Sequence, residues 1–183
     1  MKTKEFTFKS ATGVCDIYGC RYTPDDDAVK AVIAINHGMA EHQARYRDFV
    51  SFLTSNGFAV YMHDMANHGK SNNDKNLTGY FGKKDGYKAL VKDFDSVVKI
   101  AKTDYPDKKL VIMGHSMGSF IVRCYTAWYP NAGFDGAIYM GTGGSNPIAG
   151  VGDFVSSLIA KVTGYKKTVS YTHLRAHETT LHL

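Results

Sequence analysis

Residues 109–118 read KLVIMGHSMG, an apolar run followed directly by the pattern G-x-S-x-G. The apolar residues before Gly114 predict a buried strand, and those after Gly118 predict a helix. A serine in this pattern between a strand and a helix is typical of a nucleophile elbow, a sharp turn that exposes the serine hydroxyl. Glycine at both positions provides room where strand and helix almost touch. We therefore predict that Ser116 is a nucleophile; the alternative is an ordinary strand-to-helix turn.

The composition is that of a soluble globular domain. The 183 residues are 44% hydrophobic and 21% charged, which is ordinary for one domain with a core. The net charge of +5 is modest and dispersed, so we expect no nucleic-acid partner. Neither a signal-peptide core nor an 18-residue apolar run is present, which predicts a cytoplasmic protein. The three cysteines fit no metal-ligand spacing, and we expect them to be reduced.

The pattern of apolar residues predicts an α/β fold with a doubly wound, mostly parallel sheet. Glu5–Lys9 and Val14–Tyr22 first predict an antiparallel hairpin. Short apolar runs then alternate with helical periodicity, as in a parallel sheet covered on both faces. The predicted parallel strands are Ala31–Ile35, Phe58–Met62, Leu110–Met113 and Ala137–Met140. The predicted helices are Tyr46–Ser55, a helix that includes Leu90–Ala101, Ser119–Tyr129 and Gly150–Lys161.

Two backbone N–H groups near the predicted elbow are candidates for binding an oxyanion. Attack on a carbonyl carbon places negative charge on its oxygen, which requires preorganised donors. Met117 follows the nucleophile directly and can supply one N–H. The loop His37-Gly38-Met39 follows the first parallel strand and can supply the N–H of Met39. The alternative for this loop is a plain turn at the end of a strand.

Three ordered motifs carry a family resemblance over about residues 5–165. They are His37-Gly38-x-x-Glu41-His42-x-x-Arg45-Tyr46, then Asp64-x-x-x-His68-Gly69-x-Ser71, then the G-x-S-x-G pattern. In order and spacing they resemble the monoacylglycerol lipase and lysophospholipase group of the α/β-hydrolase fold, also called serine aminopeptidase-like hydrolases. The second motif departs from this group, because Ala66-Asn67 stands where Arg-Gly is usual.

The resemblance implies an acyl-serine mechanism. Ser116 would be the nucleophile, Met39 and Met117 the oxyanion donors, and a small acyl ester or lipid the substrate, with no cofactor and no metal. A lipid substrate would leave room for transient contact with a membrane surface. The sequence does not decide the acyl chain or head group. Two alternatives stay open, a non-catalytic hydrolase-like binding protein and another chemistry on the same fold, such as a peptidase, a peroxidase or a C–C bond hydrolase.

The remaining polar residues near the strand ends have structural interpretations. Histidines at four positions could suggest a metal site, but no metal-binding motif supports one, and we interpret them as packing or hydrogen-bonding residues. We interpret His115 as a packing residue rather than the base. Asp64 is interpreted as a loop-stabilising carboxylate, because the triad acid of this fold follows the serine. The four histidines are His37, His42, His63 and His68.

No credible acid and base follow Ser116. Asp135 and Asp153 do not stand after a later strand, and His177 comes only 61 residues after Ser116, too soon for a lid and two more strand-helix units. We regard His177, next to Glu178, as a decoy. We therefore expect residues 1–168 to be the N-terminal part of a hydrolase domain, with a lid starting near residue 145. The sheet would be truncated before its last strands, and the chain would be inactive.

The last residues have an unusual origin. Residues 169–179, VSYTHLRAHET, match one translated frame of a transposon-based sequencing adapter. We expect residues 169–183 to be a non-native tail produced by read-through. The alternative is a genuine C-terminal tail.

Overall fold

The computed structural model describes residues 1–82 and 85–144, which build one six-stranded sheet with helices on both faces. The order of strands across the sheet is β1-β2-β4-β3-β5-β6. In chain order the strands are β1 (Lys2–Lys9), β2 (Asp16–Thr23), β3 (Ala31–Asn36), β4 (Phe58–His63), β5 (Leu110–His115) and β6 (Gly136–Met140).

The N-terminal strands form the predicted antiparallel hairpin. β1 pairs with β2 along its whole length, from Lys2 opposite Thr23 to Lys9 opposite Asp16. The turn is longer than the sequence predicts, because the N–H of Ser10 donates to the carbonyl of Cys15 and β2 begins only at Asp16. β2 then pairs antiparallel with β4, which joins the hairpin to the rest of the sheet.

The four predicted parallel strands are confirmed. β3 lies between β4 and β5, and β6 pairs with β5. β3 and β4 are buried on both faces, which explains why they appear in the sequence as continuous apolar runs. Since all four strands run in the same direction, their carboxyl ends meet at one edge of the sheet, where ligands bind in such folds.

Helices cover the two faces in turn. A single 3₁₀ turn, Gln43–Tyr46, leads into α1 (Arg47–Ser55), whose Val50 and Leu53 pack on one face. α2 (Gly86–Asp104) and α3 (Met117–Trp128) cover the other face with an apolar core. α3 begins two residues before the predicted Ser119, because its first turn grows directly out of the elbow. Two shorter 3₁₀ turns are Gly69–Ser71 and Lys75–Leu77.

β6 forms one edge of the described sheet. Its residues Ile138, Tyr139 and Met140 are exposed by 40–47%, which is high for large apolar side chains in a strand. None of the helices in the described part of the chain is long and apolar enough to cross a membrane. The predicted lid from residue 145, the helix Gly150–Lys161 and the tail from residue 169 lie outside the described residues.

Candidate active site

Ser116 lies in a strained turn between β5 and α3. Its backbone has φ 51° and ψ −119°, a conformation that residues other than glycine rarely adopt. The N–H of Ser116 donates to the carbonyl of Met140 at 2.9 Å, which ties the turn to the end of β6. Within residues 1–82 and 85–144, no group hydrogen-bonds to the Ser116 hydroxyl. The side chain is partly exposed.

The two glycines of the turn sit where no side chain fits. A Cβ atom on Gly114 would lie 2.3 Å from the carbonyl oxygen of Gly118. A Cβ atom on Gly118 would lie 2.2 Å from the carbonyl oxygen of Asn36 and 2.4 Å from that of His37. All three of these contacts are to backbone atoms, which cannot turn away as a flexible side chain can. The turn is therefore held by close backbone packing against the end of β3.

The loop after β3 lies directly against the serine. A Cβ atom on Gly38 would be 3.1 Å from the Cβ atom of Ser116. The N–H of Gly38 donates to the Glu41 carboxylate, and the N–H of Ala40 makes a long hydrogen bond of 3.4 Å to His68 Nε2. The N–H of Met39, between them, has no partner in the described part of the chain.

His37 fixes this loop as a neutral side chain. Its ring is fully buried, and Nε2 accepts a hydrogen bond from the N–H of Met65 at 2.9 Å. The ring proton is therefore on Nδ1, which lies 2.7 Å from the carbonyl oxygen of Gly38 and donates to it. Burial lowers the pKa of His37 to about 4, so the ring carries no charge near neutral pH. A metal ligand would need one of these nitrogens unoccupied.

The other histidines of the strand ends also have structural surroundings. Burial lowers the pKa of His68, whose ring stacks on Phe81 with centroids 5.7 Å apart. His63 is completely buried against Phe94, and burial lowers its pKa to about 3. His42 is exposed. No group of three or more potential metal-binding side chains is found among residues 1–82 and 85–144.

Asp64 connects the loops after β3 and β4. Its carboxylate is buried and accepts hydrogen bonds from the N–H groups of Gln43 at 2.7 Å and Lys70 at 2.8 Å. Both bonds are to the backbone, as expected for a loop-stabilising carboxylate. Asn67, one of the two residues at which the second motif departs from the family pattern, has φ 56°, a conformation that asparagine tolerates better than most residues. Its side-chain amide donates to the carbonyl of Tyr80 at 2.6 Å.

Glu41 forms a polar cluster with Tyr46 and His115 beside the elbow, which no local sequence pattern predicts. Its Oε1 atom accepts a hydrogen bond from the Tyr46 hydroxyl at 2.7 Å and lies 3.1 Å from His115 Nδ1. Burial alone would raise the pKa of Glu41, but hydrogen bonds from Tyr46, Gly38 and His115 outweigh it and lower the pKa. In the sequence, the sign that Glu41 has a role is that it belongs to the first motif. His115 is thus a hydrogen-bonding residue and more than a packing residue.

A cavity of about 340 Å³ adjoins this cluster and the elbow. It lies between the first turns of α1 and the ends of β5 and β6. Its walls combine polar and apolar side chains, as small-molecule sites do. A larger groove of about 600 Å³ lies between the C-terminal halves of α2 and α3, at the opposite end of α3 from Ser116. The cavity beside the elbow is lined by Glu41, Arg45, Tyr46, Phe49, Met113, His115 and Met140.

Among the described residues, no histidine hydrogen-bonds to the Ser116 hydroxyl, although His115 and Glu41 lie beside it. Asp135 accepts from the N–H of Leu110 at 2.8 Å and pairs with Lys109, so it lies at the start of β5, the end opposite the elbow. Asp153, Glu178, His173, His177 and His182 lie outside the described residues.

The sequence is similar to one protein family and to several known proteins. The sequence model of the family described as Serine aminopeptidase, S33 matches residues 27–176. A monoacylglycerol lipase of Mycolicibacterium smegmatis is 34% identical over 166 residues, which cover 87% of this chain and 53% of that protein. A monoglyceride lipase of Mus musculus is 32% identical over 102 residues, or 56% of this chain and 32% of that protein.

A solved structure is similar over almost the whole chain. A thermostable carboxyl esterase from Bacillus coagulans, crystallised with glycerol, superposes with a TM-score of 0.80 and 31% identity, covering 93% of this chain and 55% of that chain. A structure titled as a lipase in its open form has a TM-score of 0.69 and 29% identity, covering 75% of this chain and 44% of that chain. The chain spans 32–55% of the length of these four relatives.

Proposed function

Since the chain belongs to the Serine aminopeptidase, S33 family and has the α/β-hydrolase fold, we propose that it hydrolyses small acyl esters through an acyl-serine intermediate. The observation that carries the proposal is the conformation of Ser116, at φ 51° and ψ −119°, with the backbone of Gly38 against its side chain. Strain of this kind persists at functional sites because it exposes a reactive group. Relatives named monoacylglycerol lipase and monoglyceride lipase support monoacylglycerols as the ester class. We include lysophospholipids on the resemblance of the motifs alone.

In the proposed reaction the Ser116 oxygen bonds to the ester carbonyl carbon and its proton passes to the departing alcohol. Water then cleaves the acyl-serine and releases the carboxylic acid. Met117 is the first residue of α3, and its N–H has no acceptor within the helix. The N–H of Met39 is also without a partner in the described chain, whereas those of Gly38 and Ala40 are occupied. We assign the oxyanion to Met39 and Met117.

The proposal assigns no general base. A serine hydroxyl is a weak nucleophile until a base accepts its proton. We therefore expect the 183-residue chain, tested by itself, to react slowly at Ser116 and to respond to a base supplied in solution. A lipid substrate would also require brief contact with a membrane surface, which belongs to the same proposal.

Acylation by p-nitrophenyl butyrate in the presence of imidazole tests this function. Imidazole can replace the base, and trypsin releases residues 110–123, which contain both Ser116 and the buried Ser119. We expect a butyryl group on Ser116, none on Ser119, and none in the Ser116→Ala variant. A peptide p-nitroanilide should leave no acyl group. Absence of the butyryl adduct from a chain that melts cooperatively would favour a non-catalytic binding protein, and an adduct from the anilide would favour a peptidase.

A further inference from the structure

We propose that Glu41 is a positioning residue that sets the direction of the Met39 N–H relative to Ser116. The inference rests on the proposed function only for its consequence in catalysis. The positioning itself concerns only the conformation of the loop after β3, and it can be measured without any substrate.

One oxygen atom of Glu41 gathers three neighbouring groups. The N–H of Gly38 and the hydroxyl of Tyr46 both donate to Oε1, and His115 Nδ1 lies 3.1 Å from it. An ionised carboxylate can only accept hydrogen bonds, so His115 is the donor in this contact. Only 12% of the Glu41 side chain is exposed, and bonds between a charged acceptor and its donors are strong under such conditions.

These contacts fix the peptide group that carries the proposed oxyanion donor. The carbonyl of Gly38 and the N–H of Met39 belong to one planar peptide unit and point in opposite directions. His37 donates a hydrogen bond to that carbonyl. Glu41 accepts a hydrogen bond from the N–H of Gly38, which belongs to the preceding peptide group. With both groups held, the Met39 N–H cannot turn without breaking a buried hydrogen bond.

Glu41 also connects this loop to the elbow. His115 precedes Ser116 directly, and a Cβ atom on Gly38 would lie 2.8 Å from Glu41 Oε1, 3.1 Å from Ser116 Cβ and 3.4 Å from His115 Nδ1. The carboxylate therefore touches the loop on one side and the residue next to the nucleophile on the other. A shift of Glu41 changes the distance between the oxyanion donor and the attacking oxygen, on which acyl transfer depends steeply.

Hydrogen exchange at the Gly38 amide, measured by NMR, reads out the positioning directly. We expect Glu41→Ala to speed this exchange at least about tenfold, because a buried hydrogen bond is lost. Glu41→Gln keeps an accepting oxygen and should give an intermediate rate. Asp48→Asn is the matched control, since Asp48 is an exposed carboxylate in the first turn of α1, and it should leave the rate unchanged. Thermal melting of each variant separates local loosening from loss of fold.

The second readout is the rate at which a fluorophosphonate modifies Ser116 with imidazole present. We expect Glu41→Ala to lower the maximal rate about 10- to 100-fold with the half-saturating concentration unchanged, and Glu41→Gln to recover part of it. Unchanged Gly38 exchange in a folded Glu41→Ala variant would overturn the inference, whatever the wild type does with substrate. Failure of the wild type to react at Ser116, with Gly38 exchange still dependent on Glu41, would instead refute the proposed function and leave the positioning intact.

Discussion

The elbow at Ser116 and the loop at Gly38 face each other, but different forces hold them. The elbow depends on backbone contacts so close that glycine is required at Gly114 and Gly118. The loop depends on side chains from elsewhere in the fold, of which His37 and Glu41 make the short hydrogen bonds. Adding a Cβ atom to the elbow should therefore disrupt it. The loop should instead be disrupted when His37 or Glu41 loses its hydrogen bonds, by substitution or by protonation.

The largest effect expected is that of Gly118→Ala. The new Cβ atom would fall 2.2 Å from the carbonyl oxygen of Asn36, and only movement of α3 or β3 could relieve the clash. We expect a loss of about 4 kcal/mol in the free energy of unfolding, or failure to fold, measured by urea denaturation. Gly136→Ala is the control, because the nearest atom there is 3.9 Å away. Equal stabilities of the two variants would show that packing does not hold the elbow.

Protonation of His37, which holds the loop, should make the free energy of unfolding depend on pH. His37 is neutral in the fold with a pKa of about 4, whereas an ordinary histidine has 6.5. The unfolded chain therefore binds more protons between these values, so this contribution to stability is complete above pH 6.5 and is lost as the pH falls to 4. We expect the free energy of unfolding to drop by about 3 kcal/mol over that range from His37 alone.

NMR titration of the ring protons separates His37 from the other acidic and basic groups. A midpoint below pH 5 for His37 agrees with burial of a neutral ring, and His42, which is exposed, serves as the internal comparison. A midpoint near 6.5 for His37 would show that the ring is solvated and does not hold the loop as described.

The smallest effect expected is that of Ser119→Ala in the elbow. The buried Ser119 hydroxyl donates to the carbonyl of Ser116 at 2.5 Å, the one side-chain hydrogen bond found on that carbonyl within the described residues. Its loss should cost only about 1 kcal/mol, because the packing stays in place. Ser96→Ala, which removes a similar but exposed bond to Lys92 in α2, should cost less. If Ser119→Ala lowered the free energy of unfolding as much as Gly118→Ala, backbone packing would not be what holds the elbow.

The same contrast explains what the sequence could predict. The elbow is local, so five consecutive residues indicate both its glycines and its serine, and the parallel strands are equally visible as apolar runs. The sequence predicts too short a hairpin turn, because no local pattern indicates the hydrogen bond from Ser10 to Cys15. The cluster of Glu41, Tyr46 and His115 joins residues up to 74 positions apart in the sequence. That these residues are in contact can be known only from the folded structure.

The histidines near the strand ends show that residue type alone does not distinguish a metal ligand from a structural residue. Four of them near the strand ends could suggest a metal site, and the sequence supports the structural interpretation only through the absence of a metal motif. The structure gives a physical reason at His37, whose two ring nitrogens are both engaged with backbone groups. Sequence alone could not show which nitrogen carries the proton, since that depends on the neighbours Gly38 and Met65.

Whether the fold activates Ser116 is tested most directly by the rate at which a fluorophosphonate modifies this serine in the folded chain, compared with the chain unfolded in urea. Imidazole is present in both reactions, and modification is located by mass spectrometry in residues 110–123, with Ser116→Ala as the control. We predict modification at Ser116 alone, at least about 100-fold faster in the folded chain, because the strained turn and the oxyanion donors exist only there. Equal rates in the folded and unfolded chain would show that Ser116 is an ordinary serine that the fold does not activate.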